Sequence, residues 1–397
     1  MMKSNMTAPF SIMCFSWNAA GLRLCETMSQ PKADAARKGF RALVTFKKPC
    51  IAPDFFEEIR GIIRSKQPGL VVITTQDEDS IDTYFHSDLL TKSMPEIGYS
   101  LLKRDKLDDI GEIASGAEQV KVKTGKPSGS ALRISIYASN EFFPEFKLQE
   151  KAISKFFSDN GQIQSTCHQD DRASGAIASY VWHPVYGKFV FIATHLPSGV
   201  NNLKLGKTLD YTSYRVASKA ANILCLIRIM NKVVDALPSE SKPDHVFLLG
   251  DLNYDIVVPN KTNMQVVTDL GANLTAAKLK ELQKNDELQK ALDEPPLDGF
   301  KEGISNEGPL FMPTWRLARG RSDNCAPEIN GKFTTACFGE PGKYLGGIGW
   351  HDRILYKETL VSHYIAQCTE YNRLDVKNMH ESTNAGVMAF FRMELVT

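Results

Sequence analysis

The sequence has almost no net charge, which limits what it can bind. Its 397 residues carry 47 basic and 46 acidic side chains, a formal net charge of +1. A chain this close to neutrality has no overall positive field with which to hold a polyanion such as duplex DNA. Recognition of an anion must therefore depend on a local cluster of side chains.

The sequence also lacks the marks of a secreted, zinc-binding or membrane-spanning protein. Its eight cysteines are scattered, with no Cys-x-x-Cys pair and no His/Cys cluster at zinc-finger spacing. No apolar run approaches the ~20 residues of a membrane helix, and residues 1–9 lack a charged-then-apolar leader. We therefore expect a cytoplasmic protein with reduced thiols, for which peripheral contact with a membrane stays open.

Internal repeats and low-complexity tracts are absent, so we expect one domain over residues 10–397 after a tail of residues 1–9. Short apolar runs alternate with longer helical stretches, as is typical of β-sheets covered by helices. Residues 53–63 have an acidic start and apolar side chains at helical spacing, and they predict an amphipathic helix. Residues 209–237 predict a longer helix, with Leu224 among its inward-facing side chains.

Several apolar runs end in polar side chains that are capable of chemistry. The runs end at Asn18, at Gln76-Asp77, at Thr194-His195 and at Gly250-Asp251. A buried strand fixes the position of its end, so such residues can converge on one rigid site. The alternative for any one of them is that a strand end is polar because it reaches solvent.

The strongest local signal is the segment Gly250-Asp251-Leu252-Asn253-Tyr254, directly after a buried strand. On an extended backbone, Asp251 and Asn253 would point the same way. A carboxylate beside a neutral amide suits a phosphoryl site, because the amide can bind a phosphate oxygen without adding repulsion. A turn formed by Asp-x-Asn is the alternative.

This segment resembles the Gly-Asp-Leu-Asn-Tyr motif of the inositol polyphosphate 5-phosphatases, a family of the endonuclease/exonuclease/phosphatase (DNase I-like) superfamily. Further motifs resemble those of the family and follow in the same order, at residues 194–199, 286–288, 299–303, 311–316 and 350–356. The resemblance implies an α/β (α+β) fold, a four-layer sandwich of two β-sheets flanked by helices.

The resemblance also implies a Mg²⁺ cofactor, held by Asn18, Asp77 and Asp251. Asp77 stands where the family has glutamate and is one methylene shorter. Mg²⁺ readily keeps water ligands, so a water can bridge this difference. Asp251 would in addition position the attacking water.

Other matched positions imply contacts with the substrate. His195 and Asn253 would contact the phosphoryl oxygens, and Asp352 would orient a catalytic histidine. Three further residues would bind the substrate, namely Lys207, Tyr254 and Arg316. An ordinary surface cation is the alternative for Lys207 and for Arg316.

The family's final Ser-Asp-His motif aligns here with Ser382-Thr383-Asn384. Asn384, at the position of the catalytic histidine, can donate a hydrogen bond but cannot exchange a proton near neutral pH. General acid/base assistance is worth ~10²–10⁴-fold, so we expect a slow site unless His351 or His380 supplies a substitute imidazole. Asp255 replaces an arginine, which should weaken capture of multiply phosphorylated rings.

These features predict a Mg²⁺-dependent phosphoesterase that hydrolyses a phosphate monoester of an inositol phosphate or a phosphoinositide headgroup by in-line attack of water. Two alternatives stay open. One is a catalytically weakened or inactive relative that binds a phosphorylated ligand or a protein partner. The other is a nuclease of the same superfamily, although the neutral charge disfavours nucleic acid as a partner.

Overall fold

The structure is a computed structural model. It describes residues 10–19, 23–24, 50–51, 54–79, 90–107, 130–147, 175–196, 222–224, 226–227, 230–231, 239, 242–272, 275–315, 317, 347–359, 363–374, 382 and 384–396.

Strands predominate among the described elements. In chain order they are β1 (Ser11–Asn18), β2 (Arg23–Leu24), β3 (Cys50–Ile51), β4 (Leu70–Asp79), β5 (Tyr99–Leu107), β6 (Ser130–Ser139), β7 (Gly175–His183), β8 (Gly187–His195), β9 (His245–Asp251), β10 (Lys301–Glu302), β11 (Asp352–Glu358), β12 (Tyr364–Leu374) and β13 (Gly386–Leu395). The α-helices are α1 (Asp54–Lys66), α2 (Leu90–Glu96), α3 (Asn263–Ala272), α4 (Ala276–Gln283) and α5 (Glu287–Ala291).

Most strands join one of two large sheets. The first sheet has the order β12-β13-β1-β4-β6-β5, and the second has the order β10-β11-β9-β8-β7. A separate pair joins β2 to β3. In the two large sheets β1 is parallel to β4 and β8 is parallel to β9, while the other neighbours are antiparallel.

Side chains along the strands alternate between two apolar environments, as the pleat requires. In β9, Phe247 and Leu249 join the core between the two sheets, whereas Val246 and Leu248 pack on the opposite face. β1 divides in the same way, with its outer face covered by α1. The layers are therefore helix, sheet, sheet and helix, which confirms the predicted sandwich.

The predicted amphipathic helix is confirmed as α1. Its apolar side chains recur on one face, where Phe56, Ile59 and Ile63 are fully buried against the first sheet. Two basic residues, Arg64 and Lys66, lie in its last turn, where they interact favourably with the helix dipole. Burial of each large apolar side chain contributes about 1.5–3 kcal/mol.

The predicted inward face of the second helix is wrong at one position. The described residues of the segment 209–237 include Leu224, whose surface is 55% exposed. Its buried face instead carries Asn222, Leu226 and Met230, spaced four residues apart. The Asn222 amide donates to a backbone carbonyl in the turn after β9, and this contact fixes the rotation of the helix.

The topology brings four strand ends to one edge of the sandwich. Parallel strands β8 and β9 end side by side, and β11 begins opposite the end of β9. β13 runs antiparallel to β1, so the residues that precede β13 lie beside the end of β1. Gly250 permits the close approach of β8 and β9, because a Cβ there would lie 1.7 Å from the Thr194 carbonyl oxygen.

Candidate active site

Four polar side chains meet at this edge. Asn18 ends β1, His195 ends β8, Asp251 ends β9 and Asp352 begins β11. In the sheet register Asp251 pairs with both His195 and Asp352. All four residues are buried. The buried strands thus hold two carboxylates, an imidazole and an amide in one cluster.

Two asparagines hold the carboxylates together. The Asn18 side-chain amide donates to Asp251 Oδ2 at 2.8 Å, and its backbone N–H donates to Asp352 Oδ1 at 2.8 Å. The Asn384 amide donates to Asp352 Oδ2 at 2.8 Å and lies 3.4 Å from Asp251 Oδ2. Each carboxylate is therefore tied to both asparagines.

Asn384 is itself fixed by the end of β1. Its backbone N–H donates to Ser382 Oγ, and that hydroxyl donates to the carbonyl oxygen of Asn18 at 2.7 Å. The Trp17 indole donates to the carbonyl oxygen of Asn384 at 3.2 Å. The structure therefore brings Asn384 to the side of Asp352, where the family resemblance expects a histidine.

The surroundings of Asp352 change its pKa. Burial raises the pKa of Asp352 well above its ordinary value, and the neighbouring charge of Asp251 raises it further. Hydrogen bonds from Asn384 and from the Asn18 backbone oppose this shift. Added positive charge, whether a proton or a cation, would therefore stabilise the cluster.

Asn253 reaches the cluster through a turn and not along an extended strand. β9 ends at Asp251, and Asn253 has a φ of 53° in the left-handed region. Its backbone N–H donates to Asp251 Oδ1 at 3.0 Å, and its side-chain amide donates to the Leu196 carbonyl oxygen at 2.6 Å. The extended geometry expected for this pair is wrong, and the alternative Asp-x-Asn turn is present.

Two histidines lie near Asp251, one beside each carboxylate oxygen. His195 Nε2 lies 3.8 Å from Asp251 Oδ2, and His351 Nδ1 lies 4.0 Å from Asp251 Oδ1. The other ring nitrogen of His351, Nε2, lies 3.0 Å from Asp255 Oδ1. The His351 ring stacks on Trp315 with a centroid distance of 5.2 Å. Asp255 thus contacts the site through His351, a role that the sequence analysis missed.

Two departures from the family pattern in the sequence could have indicated the contact between Asp255 and His351. Asp255 stands in place of an arginine, and His351 stands in place of a cysteine. Considered singly, the first was interpreted as a loss of positive charge. Two backbone contacts bring Asp255 and His351 together. One is the isolated bridge between Trp315 and Gly349, and the other is the hydrogen bond from the Ile256 N–H to the Ile348 carbonyl oxygen.

The structure does not bring Tyr254 to the site. Its side chain is buried in an apolar cluster with Leu288 and Leu292, on the face of the second sheet that the helices cover. Burial raises the pKa of its hydroxyl above the ordinary value. A substrate contact by Tyr254 is thus not supported, because the residue after the Asp-x-Asn turn points into the core.

The remaining sequence predictions cannot be placed. The side chain of Asp77, in β4, lies outside the described residues. So do Lys207, Arg316 and His380. Their expected contacts with a metal ion or a substrate stay predictions.

Three of the motifs meet in the interior and not at the site. Arg353 is fully buried and contacts Asp286 Oδ2 at 2.8 Å and Glu302 Oε1 at 2.6 Å. The Tyr371 hydroxyl and the Gln289 amide also donate to Glu302. Burial alone would lower the pKa of Arg353, but the two carboxylates raise it above its ordinary value. These motif residues stabilise the second sheet behind the site.

The oxygen donors of the site suit a hard cation such as Mg²⁺. Asp251 and Asn18 offer a carboxylate and an amide, and Mg²⁺ is commonly held by one or two carboxylates while it keeps several waters. Among the described residues no three His, Cys, Asp or Glu side chains form a group that could hold a metal ion. Asp77, on the strand next to Asn18, would be the further ligand.

Residues 171–384 match the model of endonuclease/exonuclease/phosphatase family 2. The chain belongs to this family. No curated protein matches the chain significantly.

Solved structures support the fold of this endonuclease/exonuclease/phosphatase family member. The inositol polyphosphate 5-phosphatase domain of SpSynaptojanin, in complex with inositol (1,4)-bisphosphate and a calcium ion, is 15% identical, with a TM-score of 0.53 over 98% of this chain and 86% of that chain. A Cimex nitrophorin in its ferrous NO complex is 16% identical, with a TM-score of 0.54 over 98% of this chain and 99% of that chain.

At these identities the likeness shows the fold alone. One of the two structures is a phosphatase domain and the other a nitrophorin, so activity must be argued from the site. Within the part of the chain that the structure describes, no helix has the length and apolar character needed to cross a membrane.

Proposed function

We propose that this protein is a Mg²⁺-dependent phosphoesterase that hydrolyses a phosphate monoester of an inositol phosphate or of a phosphoinositide headgroup. The observation that carries the proposal is the convergence of Asn18, His195, Asp251 and Asp352 at one edge of the sandwich. These residues match the family motifs in type and in order, and they come from four different strands.

The roles follow from the chemistry of each group. Asp251 accepts hydrogen bonds and carries negative charge, so it can orient an attacking water and take part in holding a cation. His195 Nε2, which lies 3.8 Å from Asp251, can donate a hydrogen bond to a phosphoryl oxygen of the substrate. When bound, Mg²⁺ would neutralise the charge that develops on the phosphoryl group.

The substrate class rests on the motif resemblance. The motifs at residues 299–303 and 311–316 resemble those of phosphatases that act on inositol phosphates. The SpSynaptojanin domain, solved in complex with inositol (1,4)-bisphosphate, shares this fold, which supports the same substrate class. The small net charge of +1 disfavours a duplex nucleic acid.

Phosphate release from a panel of inositol phosphates and short-chain phosphoinositides tests the proposal. We expect release in Mg²⁺, none in EDTA, and none from the Asp251→Ala variant. Asp293→Ala, which changes an exposed aspartate after α5, is the matched control and should keep full activity. If the wild-type protein releases no phosphate from any member of the panel, the proposal is wrong.

One observation favours a second candidate, a relative that binds a phosphorylated ligand without turning it over. Asn384 bonds to the buried carboxylates at the position where a histidine would exchange a proton. Calorimetry with the same panel separates the two candidates, because this one requires saturable binding of inositol phosphates without any phosphate release. A plasmid-nicking rate above every phosphatase rate would favour the nuclease alternative instead.

A further inference from the structure

His351 is held in one tautomer by Asp255. A carboxylate only accepts hydrogen bonds, so the 3.0 Å contact between Asp255 Oδ1 and His351 Nε2 requires a proton on Nε2. In the neutral ring the other nitrogen, Nδ1, is then an acceptor. Stacking on Trp315 and the close approach of Gly349 fix the plane of the ring.

The Nδ1 atom faces a second acceptor. It lies 4.0 Å from Asp251 Oδ1, beyond the range of a direct hydrogen bond. Among the residues that the structure describes, this buried nitrogen has no hydrogen-bond partner, and the residue as a whole is only 4% exposed. Two acceptors that face each other at this distance repel, unless a small donor lies between them.

A water molecule satisfies this geometry. Its oxygen would lie about 2.8 Å from both acceptors, and its two hydrogens would point to Nδ1 and Oδ1. Asp251 Oδ1 already accepts from the Asn253 backbone N–H, which leaves one lone pair for this water. The water would lie beside the carboxylate that the proposed function assigns to the attacking water.

We infer that His351, oriented by Asp255, is the second acceptor of the attacking water, and that this pair replaces the imidazole lost at Asn384. The inference rests on the proposed function. His351 is the catalytic residue of the pair because it touches the water, and Asp255 is a positioning residue because it acts through His351.

The chemical step balances without a further reactant. The water oxygen forms a new bond to phosphorus, and the ester P–O bond breaks with its electron pair on the inositol oxygen. One water proton passes to His351 Nδ1 and later to solvent, and the inositol oxygen takes a proton from solvent. The products are an alcohol and inorganic phosphate.

The test measures phosphate release by the full-length protein with the best substrate of the panel. His351→Gln keeps an amide that can donate to Asp255 but removes the acceptor at Nδ1. We expect kcat to fall by ~10²-fold, the lower part of the range for general acid/base assistance, with little change in KM or in the unfolding temperature. Asp255→Asn should lower kcat by a smaller factor, because it weakens the preference of His351 for one tautomer but retains the imidazole.

Two matched controls make the same chemical changes on the surface. His363→Gln and Asp298→Asn alter exposed residues and should keep wild-type kcat. Chemical rescue separates catalysis from structure, since imidazole added to His351→Ala should restore part of the lost turnover. If His351→Ala does not fold, the kcat values of His351→Gln and His363→Gln still show whether His351 takes part in catalysis.

The outcomes separate the two proposals. This inference alone is overturned if the wild type releases phosphate, Asp251→Ala is inactive, and the kcat of His351→Gln lies within twofold of the wild-type value. A fall in kcat that is matched by the fall in the folded fraction of the variant also overturns it, because His351 would then have a structural role. No release by the wild type overturns the proposed function, and this inference with it.

Discussion

Asn384 decides how the site differs from that of a typical 5-phosphatase. Its amide contacts Asp352 and Asp251, so it satisfies the carboxylates that would otherwise orient an imidazole. Ser382, which aligns with the serine of the family motif, bonds to the end of β1 and to the backbone of Asn384. The paired departures at Asp255 and His351 were visible in the sequence, but the distance between the two residues depends on how the loops around Ile256 and Gly349 pack.

Restoring the family motif tests whether position 384 limits the rate. Thr383→Asp combined with Asn384→His should raise kcat by at least ~10²-fold, because an imidazole beside Asp352 can exchange protons. Steady-state phosphate release is the measurement. Asn372→His, at an exposed position of β12, is the control and should change nothing. An unchanged kcat in the restored variant would mean that proton exchange at this position is not limiting.

The strands could be predicted from the sequence better than the segments between them. β1, β8 and β9 are buried apolar runs with a single polar end, so their hydrophobicity located both the strand and the tip. The Asp-x-Asn turn was only the alternative to an extended strand end, and the inward position predicted for Leu224 was wrong. The side-chain amides of Asn253 and Asn222 bond to the carbonyl oxygens of Leu196 and Leu252, and both bonds join segments that are distant in the chain. Propensity and periodicity carry no information about such contacts.

The buried charges behind β11 give a prediction at the scale of the element. Arg353→Met would leave Asp286 and Glu302 buried without their cation, and removing one partner of a buried ion pair costs about 3–5 kcal/mol. Denaturant unfolding should therefore show a large loss of stability.

A surface cation provides the control for this measurement. Lys261→Met removes the partner of Asp269, which lies 2.8 Å away in a pair whose two side chains are both about half-exposed. Exposed pairs contribute little to stability, so this variant should unfold almost as the wild type does. Equal losses in the two variants would show that the Arg353 cluster is not a special source of stability.

At the scale of the molecule, both faces of the two large sheets are apolar and covered. The numbers of basic and acidic side chains are nearly equal. The sequence predicted this layered architecture, because alternating apolar residues and covering helices follow from composition and period. It did not predict the aromatic cluster at the end opposite to the tip of β9, where the rings of Phe10, Phe146 and Tyr186 contact His183. That cluster makes the stability of the fold dependent on pH.

His183 should destabilise the folded protein in mild acid. Its ring is fully buried, and burial lowers its pKa from 6.5 to about 4. The backbone N–H groups of Val185 and Tyr186 donate to Nδ1, which keeps the folded ring neutral, and Glu145 Oε2 lies 3.3 Å from Nε2. As pH falls below 6.5 the unfolded chain binds a proton that the folded protein does not, so stability is lost until the pH reaches about 4.

Comparison with His183→Asn isolates this contribution from that of other titrating groups. The asparagine Oδ1 can occupy the position of Nδ1 and keep both backbone hydrogen bonds, but it does not titrate. The free energy of unfolding of the wild type minus that of the variant should decrease by about 2 kcal/mol between pH 7 and pH 5, since each pKa unit corresponds to about 1.4 kcal/mol. Denaturant titrations at the two pH values measure this difference. A difference that is the same at both pH values would mean that folding does not change the pKa of His183, and a difference that increases toward pH 5 would mean that the folded ring is protonated with Glu145 as its counter-ion.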